Sequence, residues 1–223
     1  DITVVYKSVD DAKTRFIDCD TLNLNKQKGI LSFGKNRGNY KTRNISMETY
    51  VLSKNLFMQL VDDALKESSL YWFTDILNEK CEELDIRGYQ YRGFLVAITD
   101  LTSYYEANME LIDPEVAVEL FKEDWPIYTR TNDSAPTKYT ENAKVRRCVI
   151  SNGCMIDGEV ENSIIVVKKG AVVKNAVICP NTVIGEDVYL NNIVVDKEAN
   201  ISRVKNVQGV CGSPAYVRKG DRI

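Results

Sequence analysis

Residues 172–194 read VVKNAVICPNTVIGEDVYLNNIV. Val172, Ile178, Ile184 and Leu190 fall six apart, and Ile150 and Ile156 form another pair at that interval. Turn-forming residues follow two of them, in Ile184-Gly-Glu-Asp and Ile156-Asp-Gly-Glu. An aliphatic at every sixth place, with small or turn residues between, is the mark of hexapeptide β-helix repeats. Each short strand supplies one inward aliphatic, and stacked coils turn these into ladders. The spacing therefore predicts a β-helix from about 145 to 208, with Ile150, Ile156, Val172, Ile178, Ile184 and Leu190 inside.

A second regularity supports it. Cys148-Val-Ile150, Ser163-Ile-Ile165, Ala176-Val-Ile178 and Asn192-Ile-Val194 are each a small or polar residue before two β-branched ones, spaced 15, 13 and 16 apart. The rival is an antiparallel sandwich of short strands, which the even spacing disfavours. Cys154, Cys179 and Cys148 are expected in or beside the coil interior, since a free cysteine packs as a small hydrophobe.

Upstream, from 125 to 144, periodicity stops. Trp125-Pro126 and Asn132-Asp-Ser-Ala-Pro-Thr137 carry turn residues, so this stretch reads as a linker. Before it, residues 1–124 alternate strand and helix signals. Strands are expected at Ile2–Tyr6, Gly29–Phe33, Ile45–Leu52 and Gly88–Thr99. Helices are expected at Lys54–Lys66, on a face carrying Leu70, Phe73, Leu77, Cys81 and Leu84, at Thr102–Leu111, and from Asp113-Pro114 to Phe121. The fold class is α/β followed by all-β, in domains 1–124 and 145–223.

Composition narrows the function. The formal charge is −3, which gives no reason to expect nucleic acid or an anionic membrane as partner. No apolar run approaches the ~20 residues of a membrane span, and the opening lacks the marks of a signal peptide. Six cysteines contain no CxxC pair, so reduced thiols of a cytoplasmic protein are expected. There is no histidine, which excludes Ser-His-Asp and Cys-His catalysis. The chain begins at Asp1, directly on an apolar run, and this predicts a preceding segment. Phe33-Gly-Lys-Asn-Arg-Gly38 fits no phosphate-loop pattern.

Tyr104-Tyr-Glu-Ala-Asn-Met-Glu-Leu111 is similar to the SYWEANMDLL stretch of bacterial glucose-1-phosphate adenylyltransferases. Trp125-Pro-Ile-Tyr-Thr129, Ala135-Pro-Thr-Lys-Tyr139 and the repeats after them resemble the linker and C-terminal domain of the same family. The resemblance implies the C-terminal part of a nucleotidyltransferase-like, Rossmann-like domain, then a left-handed parallel β-helix. That hand comes from the resemblance and runs against the usual right-handed crossover. The family joins ATP and glucose 1-phosphate into ADP-glucose and pyrophosphate, for glycogen or starch synthesis.

The family's site residues are altered here. Its reaction uses Mg²⁺ held by carboxylates. The metal aspartate of GYWxDVGT falls on Ala97, within Gly93-Phe-Leu-Val-Ala-Ile-Thr-Asp100, and a methyl group ligates nothing. Asp100, three residues on, is expected to cap a helix. EKP aligns with Gly34-Lys-Asn36, keeping Lys35. SMG aligns with Ser46-Met-Glu48, placing a charge where the family has glycine beside the sugar. FGKD aligns with Trp72-Phe-Thr-Asp75, keeping Asp75 and losing the lysine to Thr74. Lys35, Ser46 and Asp75 are thus vestigial substrate-binding candidates, with a solvated loop lysine and a plain strand serine as the alternatives for Lys35 and Ser46.

Four altered motifs around one pocket resemble the GlgD-type subunit, a non-catalytic homologue that modulates a catalytic partner. The resemblance implies a hetero-oligomer, by family a tetramer, with no cofactor bound by this chain. An active adenylyltransferase, a hexapeptide acyltransferase and a bare scaffold are the alternatives. Arg146, Arg147, Arg203, Lys205, Arg218 and Lys219 form a basic set open to an anionic effector, or simply solvated.

Overall fold

The computed structural model describes residues 1–67, 72–128, 135–164 and 171–223. They form two compact units, Asp1–Ala97 and Ile98–Ile223. This division comes earlier than the boundary near 124 expected from sequence, for the local reason given below.

The first unit contains β1 (Ile2–Val9), β2 (Asp20–Leu24), β3 (Ile30–Lys35), β4 (Arg43–Leu52), α1 (Lys54–Glu67), α2 (Phe73–Glu79) and β5 (Ile86–Gln90). Its sheet runs β3-β2-β4-β1-β5. β1 lies antiparallel to β4 and parallel to β5. Ile2, Val4 and Tyr6 are buried at every second position, as a strand with one covered face requires. They meet Leu60 of α1 and Ile76 and Leu77 of α2, with Leu22, Ile30 and Ile86 completing the cluster. Each such side chain contributes about 1.5–3 kcal/mol when taken fully out of water. The Ser53 hydroxyl starts α1 by accepting from Leu56 N–H at 3.2 Å.

Two sequence expectations change here. The second helix is shorter than its apolar face suggested: it ends at Glu79, and Cys81 and Leu84 pack against the core from beyond it. Leu70, expected on that face, lies outside the described residues. The strand expected at Gly88–Thr99 stops at Gln90. Beyond it, Leu95 and Ala97 pack without strand pairing against Val9, Ala12, Phe16 and Ile45. Burial therefore explains the density of apolar residues there, without a sheet.

The second unit opens with α3 (Leu101–Glu110) and α4 (Pro114–Leu120). Asp100 caps α3, its carboxylate accepting from Ser103 N–H at 2.7 Å. The Asp113 carboxylate caps α4 by accepting from Glu115 N–H. The coil follows: β6 (Lys138–Tyr139), β7 (Lys144–Val149), β8 (Met155–Ile156), β9 (Glu159–Ile164), β10 (Val172–Ile178), β11 (Val183–Ile184), β12 (Tyr189–Val195), β13 (Asn200–Ile201), β14 (Asn206–Gln208) and β15 (Ala215–Val217). α3 lies on β10, where the Tyr105 hydroxyl donates to the Asn175 carbonyl at 3.0 Å. That is why this helix groups with the coil. β6 pairs with β8, so part of the expected 125–144 linker already belongs to the coil. Residues 129–134, including Thr129 and Asn132, lie outside the described residues.

The coil is a parallel β-helix. β7, β9, β10 and β12 stack in parallel register, followed by β14 and β15 on β12. Ile156, Val160, Val173, Ile184, Leu190, Ile193, Val195 and Ile201 are fully buried within it. Of the six predicted interior residues, Ile156, Ile178, Ile184 and Leu190 are buried and Ile150 packs half-buried on the same core. Val172 is the exception. It aligns with Glu159 and Tyr189, while its neighbour Val173 aligns with Val160 and Leu190 and is 0% exposed. The interior step from Val173 to Ile178 is five residues, not six. Within it sits Asn175, at φ 47°.

The same left-handed corner recurs at Arg147, Asn162 and Asn192. Asparagine tolerates this region better than other side chains do. Asn162 Nδ2 donates to Asn175 Oδ1, and Asn175 Nδ2 to Asn191 Oδ1, each at 2.9 Å, tying successive coils. The fourth triplet also shifts: Ile193, not Asn192, stands opposite Ala176. Ile165 of the second triplet lies outside the described residues. Gly185 serves close packing, since a Cβ there would lie 2.8 Å from Ser202 Cα. Cys154 is buried in the coil core, Cys148 packs half-buried against it, and Cys179 Sγ lies 4.0 Å from the Tyr104 hydroxyl. None of the six cysteines is in a disulfide.

Candidate functional site

The first unit holds a cavity of about 360 Å³ where β2, β3 and β4 meet the start of α2. Its lining contains Lys35, Glu48, Thr74 and Asp75, so positions from three separate motifs converge on it. Asp20, Tyr50, Trp72 and Phe73 complete the wall.

Asp20 and Lys35 are register partners on β2 and β3. Lys35 Nζ lies 2.6 Å from Asp20 Oδ1, and the carboxylate is the more buried partner. This hydrogen bond holds the Lys35 ammonium above its ordinary pKa. Sequence reasoning missed Asp20, because the β2 strand itself was not foreseen; the pairing becomes visible only once two strands are in register. Asn36, beside Lys35, points inward and is 1% exposed. Its Nδ2 donates to the carbonyls of Ala12 and Phe16 at 2.7 and 2.8 Å, which fixes the loop before β2.

Glu48 sits on a bulge. The β1–β4 register slips between Val5–Thr49 and Tyr6–Ser46, leaving Met47 and Glu48 outside the ladder. Glu48 has φ 51°, the region where glycine costs nothing. Ser46 is buried beneath it and accepts the Glu48 N–H at 3.2 Å. Burial pushes the nearby Tyr50 phenol up, opposed by its bond to Ser46. Ser46 is thus brought near the cavity as a support, not as part of its lining.

Asp75 occupies the third position of α2, and its Oδ2 accepts the Trp72 N–H at 3.3 Å, tying the first turn back to the residue before it. Phe73 is held by the edge of Tyr50, with centroids 5.0 Å apart at 83°, and by Phe57 at 5.5 Å. Trp72 is 80% exposed. Cys19, beside these strands, has its thiol pushed up by burial and then by the Glu48 charge.

Ala97 does not line this cavity; it packs on the Val9 and Phe16 cluster. The Mg²⁺ donor set does not fit the residues present. The Ala97 position offers a methyl, Asp20 is engaged by Lys35, and Asp75 caps a helix. Among the described residues no group of three or more acidic, cysteine or histidine side chains is placed to hold a metal ion. Asp100 is committed to its helix cap, whose backbone hydrogen bond holds its carboxyl below the usual range.

The basic set of the second unit does not converge. Arg146 bonds Glu161, Lys205 Nζ donates to the Glu186 carbonyl at 2.6 Å, and Lys219 lies 3.9 Å from Glu198. No helix among the described residues is long and apolar enough to cross a membrane.

The family model GlmU-like, C-terminal hexapeptide, matches residues 135–210, the coil just described. The Bacillus subtilis (strain 168) glycogen biosynthesis protein GlgD is 33% identical over 179 residues, covering 78% of this chain and 52% of that protein. The GlgD of Geobacillus stearothermophilus is 36% identical over 135 residues, 59% of this chain and 39% of that one. The glucose-1-phosphate adenylyltransferase of Fervidobacterium nodosum is 31% identical over 172 residues, 74% and 41% respectively. Over these residues the chain is a member of the glucose-1-phosphate adenylyltransferase and GlgD family. It spans about half the length of the curated relatives it matches. Membership does not decide between the two kinds of relative, since both names match at similar identity. Only the site can do that.

Proposed function

We propose that the chain belongs to a regulatory or non-catalytic subunit of glucose-1-phosphate adenylyltransferase, acting in glycogen biosynthesis in the cytoplasm beside a catalytic homologue. The observation that carries this reading is the state of the cavity. Its lysine is tied to Asp20, a carboxylate stands at Glu48, and the metal position is Ala97. A phosphoryl group entering there meets Glu48 before it meets an uncommitted cation. Two unit charges 4 Å apart interact by about 1 kcal/mol in bulk water and about 4 at an effective dielectric of 20. At Ala97 a methyl stands where the family's metal carboxylate would help a cation meet the charge that builds on phosphate in the transition state.

A retained fold around a degraded site points to selection on assembly. By family resemblance the partner is a catalytic subunit and the assembly a hetero-tetramer. Such a subunit acts only through contacts that differ between its partner's two states. Couplings of this kind are typically about 1–3 kcal/mol.

A second reading, an active adenylyltransferase, is favoured by one observation: Lys35 and Asp75 still face the same cavity. The test mixes the protein with its catalytic homologue. Co-elution on size exclusion, with a changed maximal rate or effector response, is the expected result. Separate elution at micromolar concentration with unaltered partner kinetics overturns the regulatory reading.

A further inference from the structure

We propose that the cavity beside α2 binds an uncharged saccharide in preference to a sugar phosphate. This deepens the non-catalytic reading above and rests on it.

The argument begins with what is already spoken for. Among the described lining residues the cation is Lys35, and Asp20 holds it at 2.6 Å. Asp75 accepts the Trp72 N–H. Two of the three carboxylates are therefore engaged by donors of the protein itself, and among the described lining residues the one cation is already paired, so an entering anion meets no uncommitted positive charge. Glu48 remains as an exposed acceptor at the rim.

The walls are aromatic and held in place. Phe73 is fixed between Tyr50 and Phe57, and Tyr50 is tethered to Ser46. Trp72 presents an exposed indole, and its backbone N–H donates to the Asp75 carboxylate. An aromatic face beside a few convergent polar acceptors is how small polar ligands are held. A pyranose ring matches both halves. Its axial C–H groups form an apolar face that lies on an indole, and its rim of hydroxyls donates to carboxylates such as Glu48. The cavity volume, about 360 Å³, lies within the roughly 300–1,000 Å³ of small-ligand sites. An added phosphate loses the contact that would hold it, because Lys35 must first leave Asp20.

The test uses the intact protein. Trp72 and Trp125 are the two tryptophans of residues 1–223, so in this chain a Trp125→Phe background makes emission report on Trp72. Maltose, glucose 1-phosphate and putrescine are titrated separately, by emission and by calorimetry. The expected result is maltose binding at least tenfold tighter than that of glucose 1-phosphate; in Trp72→Ala, which removes the emission probe, calorimetry reads the loss of maltose binding, and the exposed position leaves folding intact. Glucose 1-phosphate binding as tightly as maltose, preferential binding of putrescine, or no binding of any of the three overturns the inference. ADP-glucose formation is assayed on the same sample. Turnover at the level of a catalytic homologue overturns the non-catalytic reading instead, so the two failures are told apart.

Discussion

Lys35 and Asp20 face each other across β2 and β3, their charged atoms 2.6 Å apart at the edge of the cavity. The pair turns the lysine that family resemblance assigns to substrate into a partner for the protein's own carboxylate. The ammonium is half exposed, so the bond adds little stability, on the order of 0–1 kcal/mol.

Releasing the lysine changes binding more than folding. Asp20→Asn keeps the shape and removes the charge, and glucose 1-phosphate affinity rises about three- to tenfold by calorimetry. The stability term has a definite sign. Lys35 is raised above 10.5 in the folded protein, so the contribution is complete below that ordinary value and disappears as pH rises through the folded value. The unfolding midpoints of Asp20→Asn and the unmutated protein therefore converge above pH 10.5. A gap that widens there contradicts the pairing.

Glu48→Gly stabilises the protein. The residue holds φ 51° on the β4 bulge, where a side chain costs about 1–2 kcal/mol and glycine nothing. Glycine's larger loss of freedom on folding offsets part of the gain, leaving a rise of about 0.5–1 kcal/mol in denaturant unfolding. A loss of stability contradicts the strained-bulge account.

Neighbouring valines separate the coil register from its alternatives. Val173→Ala removes two buried methyl groups and costs about 2 kcal/mol or more. Val172→Ala acts on the outward position beside Glu159 and Tyr189 and costs about 0.5 kcal/mol or less. Equal losses from the two place the register one residue away from the one described.

Asp196 makes the last coils sensitive to acid. Its carboxylate accepts from Lys197 N–H at 2.6 Å and from the Tyr216 hydroxyl at 3.0 Å, which holds its pKa below 3.8. A depressed carboxyl stabilises above its unfolded value and loses that contribution as pH falls through the folded one. Urea midpoints of the unmutated protein fall more steeply below pH 4 than those of Asp196→Asn. Tyr216 is raised above 10 by the same bond, so its contribution is lost at the alkaline end. Parallel curves for the two proteins at both ends contradict a role for the pair.

The coil was legible because its period is written in the chain, and four of the six counted aliphatics are buried where the six-residue count put them. Val172 was misplaced because the count assumes a uniform period. A left-handed corner at Asn175 shortens one side of the coil, and an asparagine's backbone angle is not visible in a spacing rule. Gly88–Thr99 was misread for another reason. Apolar density records packing, and Leu95 and Ala97 pack half-buried against the Val9 and Phe16 cluster without being in a strand. At the site, local motifs located Lys35, Glu48 and Asp75, which share one cavity. Asp20 was invisible because its role exists only through strand pairing, and Asp75 and Asn36 proved to hold backbone as well.

The most direct test of the central claim is the Mg²⁺-dependent rate of ADP-glucose formation by the purified protein alone, compared with that of a catalytic homologue. The account predicts a rate at least a hundredfold lower, which corresponds to about 2.7 kcal/mol of lost transition-state stabilisation. It also predicts that Ala97→Asp alone does not restore full activity, because residues that act as a unit are not additive. A rate from the unmutated protein equal to the homologue's contradicts the account.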